Sequence, residues 1–313
     1  MKSQKTVKIF FVVASCVLLF KSIYATSYAG DFEELGASAR ALGLGGAYVA
    51  SATDPSAIYY NPGASALIKT QQVLFLHSEN FLGGIVQNNF LSYIRPQNGT
   101  AYGIGILTNR IPNIKITKLP NSNLPPSDSN QPIIDRIVTA SDWVVYLNYA
   151  RLLNNYLYVG GNFKFIYRSL GIGNAFGTGF DCGGMLLLTS DFKLGLKVTD
   201  LTSSPLFWST KTRELISPKI TIGIAKSFNF KTSNMILTSD LETNFDKFHL
   251  NNNFGVEYLY KNALALRFGF YHLNFTAGVG LTYKKIFIDY AYLSHYNQED
   301  LGASQKFSGG IRF

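Results

Sequence analysis

Few side chains in this 313-residue chain have the type and spacing for chemistry. The four histidines, His77, His249, His272 and His295, are scattered. Of the two cysteines, Cys16 lies in the first apolar run and Cys182 has no cysteine near it. Metal sites draw their ligands from closely spaced Cys and His pairs, so this spacing predicts no metal site and no cofactor. One hydrolytic arrangement can be drawn near a predicted rim, with His295 followed by Glu299 and Asp300 and with His272 at another rim position. A scattered His without a nucleophile in geometry is no triad. The preferred reading is solvated loop residues and no catalytic residue.

The other candidates are charges set into apolar segments: Lys164, Arg168, Asp181, Lys193, Lys197, Asp240, Glu257, Arg267, Asp289, Lys306 and Arg312. Each falls on the opposite parity from most of the Leu, Ile, Val and Phe of its segment. If that parity faces an enclosed wet interior, the charges pair with one another, hold an inner segment, or line a substrate pathway. The first two readings are preferred, because charges are expected in any polar lumen.

The elements that carry these charges read with period two. Phe275, Ala277, Val279, Leu281 and Tyr283 alternate with Thr276, Gly278, Gly280 and Thr282. Leu264, Leu266, Phe268 and Phe270 alternate with Ala265, Arg267 and Gly269. The composition agrees: 47% hydrophobic, 14% aromatic and only 15% charged, against roughly 25% charged in a typical soluble domain. Disorder and collagen-like fibres are excluded. No apolar run reaches the roughly 20 residues of a membrane helix.

About 14 strands follow from the turn signals, beginning near Val73, Asn88, Ala101, Asp142, Tyr156, Ala175, Phe192, Lys219, Asn234, Asn251, Ala263, Phe275, Ile286 and Gln305. Tight turns such as Asn98-Gly99, Asn154-Asn155 and Lys284-Lys285 alternate with long connections at 110–141, 200–217 and 294–304. Only the turn near His272 is tight where a long loop is allowed. Short turns at one end and long loops at the other are the pattern of outer-membrane barrels. The expected fold is therefore all-β, a transmembrane antiparallel β-barrel of about 14 strands over 71–313. Its apolar stripe faces lipid, because a closed barrel leaves no unpaired backbone in hydrocarbon. The last strand alternates and ends on Phe313, which is similar to the signal read by barrel assembly machinery. Outer-membrane lipids and that machinery are the expected partners. Leu206-Phe207-Trp208 and the stretch from Ile111 to Leu119 put apolar residues into the outer loops. They either collect hydrophobic ligands or pack on the rim.

Lys2, Lys5 and Lys8 precede the 12-residue apolar run from Ile9 to Phe20, and Ser27-Tyr28-Ala29 offers a cleavage site, with Ile23-Tyr24-Ala25 as its rival. Residues 1–29 read as a secretory signal peptide. Its removal takes away four Lys and no acid, so the formal charge falls from +9 to +5 (9 − 4). No nucleic-acid footprint is left.

Residues 30–70 do not alternate and are expected to form a helical plug in the lumen, with Asn61 as an N-cap and Pro62 at the first helical position. Gly43, Gly45 and Gly46 allow close backbone approach but lack the third glycine and following acid of a dinucleotide site. The stretch from Ser38 to Leu67, SARALGLGGAYVASATDPSAIYYNPGASAL, resembles the N-terminal motif of the FadL-like barrel superfamily, nearest to its short PorV-type and PorQ-type members. The matching positions include Arg40, Gly43, Gly45, Asp54, Ser56, Asn61 and Pro62; Gly63-Ala64-Ser65 departs from the usual Ala-Gly-Leu. The resemblance implies a 14-stranded barrel with a luminal hatch and two roles. The first is passive transport of hydrophobic small molecules across the outer membrane. The second is a PorV-like receptor for secreted protein cargo. An outer-rim hydrolase is the third reading.

Overall fold

In the computed structural model the described residues are 29–81, 83–171, 173–244, 249–295 and 301–313. The signal-peptide expectation for 1–29, Ala29 apart, and the Glu299–Asp300 pair lie outside them. The strands are β1 (Gln72–Asn80), β2 (Val86–Gln97), β3 (Thr100–Lys118), β4 (Ile133–Asn154), β5 (Leu157–Ser169), β6 (Asn174–Leu187), β7 (Phe192–Thr199), β8 (Pro205–Trp208), β9 (Arg213–Leu215), β10 (Lys219–Asn229), β11 (Ser233–Asn244), β12 (His249–Tyr260), β13 (Leu264–Tyr271), β14 (Asn274–Tyr283), β15 (Ile286–Ser294) and β16 (Ala303–Arg312). β8 and β9 aside, they close into a 14-stranded antiparallel barrel. The ring is sealed where β1 pairs with β16, from Gln72↔Arg312 to Glu79↔Gln305.

Alternation decides which way each strand faces. Ile222, Phe268 and Ile288 are 52%, 55% and 59% exposed on the outer surface, while Lys164, Glu257 and Arg267 are 0%, 1% and 4% exposed. An apolar band of this extent has no place in water, where soluble monomers rarely expose patches above a few hundred Å2. It matches the hydrocarbon of a bilayer, and the barrel is an outer-membrane protein. The turns on the side of Gln72 and Phe313 are tight. At the β2–β3 hairpin Asn98 and Gly99 take φ of 46° and 80°, the two left-handed positions that a two-residue hairpin turn requires. Short turns mark the periplasmic end. On the outer side the β13–β14 turn is also tight, with His272 and Leu273 at φ 47° and 67°.

Two outer connections are more ordered than the sequence reading held. The stretch 110–141 is not mainly loop: β3 runs on to Lys118 and β4 starts at Ile133. Ile111, Ile114, Ile116, Ile137 and Val138 pair across this ribbon, with a register shift at Pro112-Asn113. β-branched residues favour such a pleated surface. The stretch 200–217 contains β8, which pairs with β6 above the end of the short β7.

The N-terminal segment lies inside the barrel. It holds a 3-10 turn at Asp31–Glu33, short helices at Ala39–Gly43 and Ala57–Tyr60, and a 3-10 helix at Pro62–Leu67. The Ser38 hydroxyl caps the first helix by accepting from Ala41 N, and the Asn61 side chain caps the last by accepting from Gly63 N. Free peptide helices this short do not persist, so packing holds them. Ile58, Ala64 and Ala66 are buried in one apolar cluster with Leu74, Leu76, Phe90, Ile94, Leu107 and Val144, all on the inward parity of β1–β4. The lumen is thus divided: its β1–β4 wall is apolar and packs on the segment, while its β5–β7 and β10–β16 wall carries charge.

Candidate functional site

The sequence-derived charges all fall on the inward parity, and five of the eleven (Lys164, Asp181, Glu257, Arg267 and Asp289) enter two networks with the N-terminal segment. In the first, Arg40 makes a bidentate pair with Glu257, Nε to Oε2 at 2.8 Å and Nη2 to Oε1 at 2.7 Å. Glu257 also accepts from Arg267 Nε at 2.6 Å, and Arg267 Nη1 donates to Asp289 at 2.7 Å. In this chain two arginines and two carboxylates alternate. Asp54 joins at the edge, 3.9 Å from Arg40. It accepts from the Tyr48 hydroxyl at 2.5 Å and from Ser56 N at 2.9 Å.

In the second network Lys164 of β5 has no exposed surface and meets three carboxylates: Glu33 at 2.8 Å, Asp181 at 3.1 Å and Asp200 at 2.8 Å. Burial, opposed by Lys164, pushes the Glu33 carboxyl up to about 7, and burial also raises Asp200 in the loop after β7. One cation faces three buried carboxylates, an arrangement that favours the neutral form of the carboxyls burial has raised. Glu33 and Asp200 carried no motif and were not singled out in the sequence; only the fold brings them to Lys164.

Backbone contacts complete the docking. Asp240 accepts from Tyr48 N and Val49 N at 2.7 and 2.9 Å. Asn61 donates to Val49 O and to Gly184 O on β6, at 2.8 and 3.0 Å. Gly45, at φ 63°, lies against the β12 and β13 backbones at Phe254 and Phe270, where a Cβ would collide. Gly43 lies close against the Gly278 backbone, and Gly46, also at positive φ, against the Tyr271 ring. Pro62 lies over Gly160 and Gly183. Arg168 pairs with Asp142 at 2.7 Å and covers the Phe32 ring. Arg312 covers the Phe287 ring at the periplasmic end, and Phe313 N donates to Gln71 O at 2.9 Å. Lys193 is half-buried on β7.

A cavity of about 520 Å3 lies between this segment and the β10–β16 wall. Its apolar faces come from Leu35, Leu42, Tyr59, Tyr60, Tyr271 and Leu293. Lys197 lies over the Tyr59 ring at 4.6 Å, Lys306 donates to Leu35 O, and Lys219 bridges Glu34 and Glu242 at 3.2 Å each. Tyr59 is one of the matching positions of the motif read from sequence, though no site role was drawn from it; its neighbour Tyr60 was not singled out. Lys219 and Glu242 were open to the same parity argument. At the outer mouth His295 Nε2 is 2.8 Å from Ser304 Oγ, which also accepts from Phe81 N at 3.1 Å. Among the described residues no group of three or more His, Cys, Asp and Glu is arranged to hold a metal ion.

No family model matches the sequence, and no curated protein matches it. Solved structures do. The chain is similar to the Ralstonia pickettii toluene transporter TbuX, with a TM-score of 0.60 and 13% identity over 89% of this chain and 98% of that one. It is similar to the Pseudomonas putida toluene transporter TodX, with a TM-score of 0.56 and 12% identity over 89% and 98%. A Pseudomonas aeruginosa FadL homologue gives a TM-score of 0.51 and 12% identity over 93% and 98%. At such identities the likeness is one of fold: the chain has the architecture of FadL-type outer-membrane transporters.

Proposed function

We propose that this barrel passes hydrophobic small molecules across the outer membrane passively, with residues 30–70 as a luminal plug and the cavity over Tyr59, Tyr60 and Tyr271 as its binding site. The cavity carries the reading: a space of about 520 Å3 left open between plug and wall, with aromatic faces inside a charged lumen. Ligand sites are concave and apolar with a few fixed polar groups. In this reading Arg40, Asp54, Ser56 and Asn61 hold the plug in place. Gly43, Gly45, Gly46 and Pro62 let its backbone lie against the wall, and Phe313 marks the last strand for the assembly machinery. The secretion-receptor reading rests on the Ser38–Leu67 motif and the chain length, and no feature of the barrel adds to it.

The test is uptake of a monoaromatic hydrocarbon by proteoliposomes holding wild type or Leu293→Trp, which fills the cavity from the wall. Uptake is expected for wild type and its loss for the variant. Wild-type uptake no greater than that of empty vesicles would reject the proposal.

A further inference from the structure

The outer wall carries a second concavity that has no part in the luminal site. One cross-strand row runs Trp143↔Tyr167↔Phe176↔Phe207↔Arg213 over β4, β5, β6, β8 and β9. All five share the outward parity, at the long-loop end of the barrel. Directly below, the next outward row is Val145↔Phe165↔Thr178. Two small side chains, Val145 and Thr178, flank the Phe165 ring there, and all three line the groove. The result is a groove of about 460 Å3 on the lipid side, walled by aromatic rings. It exists because β7 stops at Thr199 and the β8–β9 hairpin takes over the upper edge of β6, carrying Phe207 and Arg213 out to the wall.

The occupant follows from position and charge. The groove opens away from the lumen, so what fills it comes from the bilayer. Beside the groove, one strand beyond Phe207 in the same row, the exposed Arg213 guanidinium lies 5.5 Å from the Phe207 ring centroid. Exposed Lys211 stands in the adjoining turn. Glu214, next in sequence, pairs with Leu206 and takes the opposite, inward parity. A cation at the edge of an apolar slot, at the long-loop end of the barrel, complements a lipid with an anionic head and an acyl tail. We infer that this groove is a binding site for one acyl chain of an outer-leaflet lipid whose phosphate is held by Arg213.

Native mass spectrometry of the full barrel in detergent tests this, titrated with phosphatidylglycerol, with phosphatidylcholine of the same chains, or with inorganic phosphate. Wild type is expected to retain one phosphatidylglycerol with about fivefold preference over phosphatidylcholine, the scale of one interfacial arginine. Arg213→Gln is expected to erase the preference and keep the chain-dependent binding. Phe176→Ala with Phe207→Ala is expected to weaken both lipids. Lys284→Gln removes a cation that lies over Tyr283 at the periplasmic end, away from the groove, and should change nothing. Equal affinity for the two lipids in wild type, a preference that survives Arg213→Gln, or full competition by inorganic phosphate would each overturn the inference. Arg213 is exposed on the hairpin, so its variant decides the question even if the double aromatic variant fails to fold.

Discussion

Arg40 and Glu257 stand 217 residues apart and meet in a two-pronged pair at 2.7 and 2.8 Å inside the barrel. Planar guanidinium and carboxylate fit each other in this mode, which adds direction to charge. The pair ties the first short helix to β12, and Arg267 and Asp289 extend it to β13 and β15.

Removing one member of such a buried pair leaves the other charge uncompensated. Arg40→Ala is expected to weaken docking of the N-terminal segment by about 3 kcal/mol. Arg40→Lys should recover only part, because an ammonium cannot make both contacts. Protease sensitivity of 30–70 in the folded barrel and single-channel conductance in planar bilayers both read the effect. Conductance and cleavage unchanged from wild type would contradict it.

Docking at Lys164 should depend on pH. The Glu33 carboxyl stands at about 7 in the docked state, above its ordinary 4.5, because burial disfavours its charged form. A group raised in this way contributes stability that is full below 4.5 and is lost as pH rises through about 7. Protease cleavage of the N-terminal segment should therefore be slower at pH 5 than at pH 8. Glu33→Gln, a neutral mimic, should flatten the difference. A faster rate at pH 5 would reverse the assignment.

The orientation of the apolar stripe is open to a direct test. Phe268 lies mid-strand on the lipid side of β13, where an arginine costs roughly 2–4 kcal/mol in a bilayer. Phe268→Arg should lower the stability of the barrel by that amount in denaturant titrations from lipid vesicles. The same titration should be insensitive to Lys115→Gln, on the ribbon beyond the barrel rim.

The cavity's aromatic lining predicts a graded series. Tyr271→Phe keeps the ring and should leave hydrocarbon uptake near wild type. Tyr271→Ala removes the face that a ligand would lie on and should slow uptake. Equal rates for the two variants would remove Tyr271 from the path.

Much of the fold was legible in the chain alone. Strand period, tight turns such as Asn98-Gly99 and the parity of Lys164, Glu257 and Arg267 are local properties of a pleated backbone, where side-chain direction alternates every residue. They establish strand count, facing and orientation without any long-range contact. Where local patterning continued beyond the barrel, as in the Ile111–Lys118 ribbon, it was mistaken for loop, because alternation does not say where the membrane ends. The candidate site was decided by the tertiary structure. Which carboxylate meets which cation depends on ring closure and on how the N-terminal segment lies across strands far away in sequence. Glu33 reaches Lys164 and Asp200 only once the chain has folded back 131 residues onto β5. The outer groove, likewise, depends on β8 replacing β7 beside β6, a substitution of one strand by another that no period in the sequence encodes. Pattern along the chain sets the direction of each side chain; only closure in space sets its neighbours.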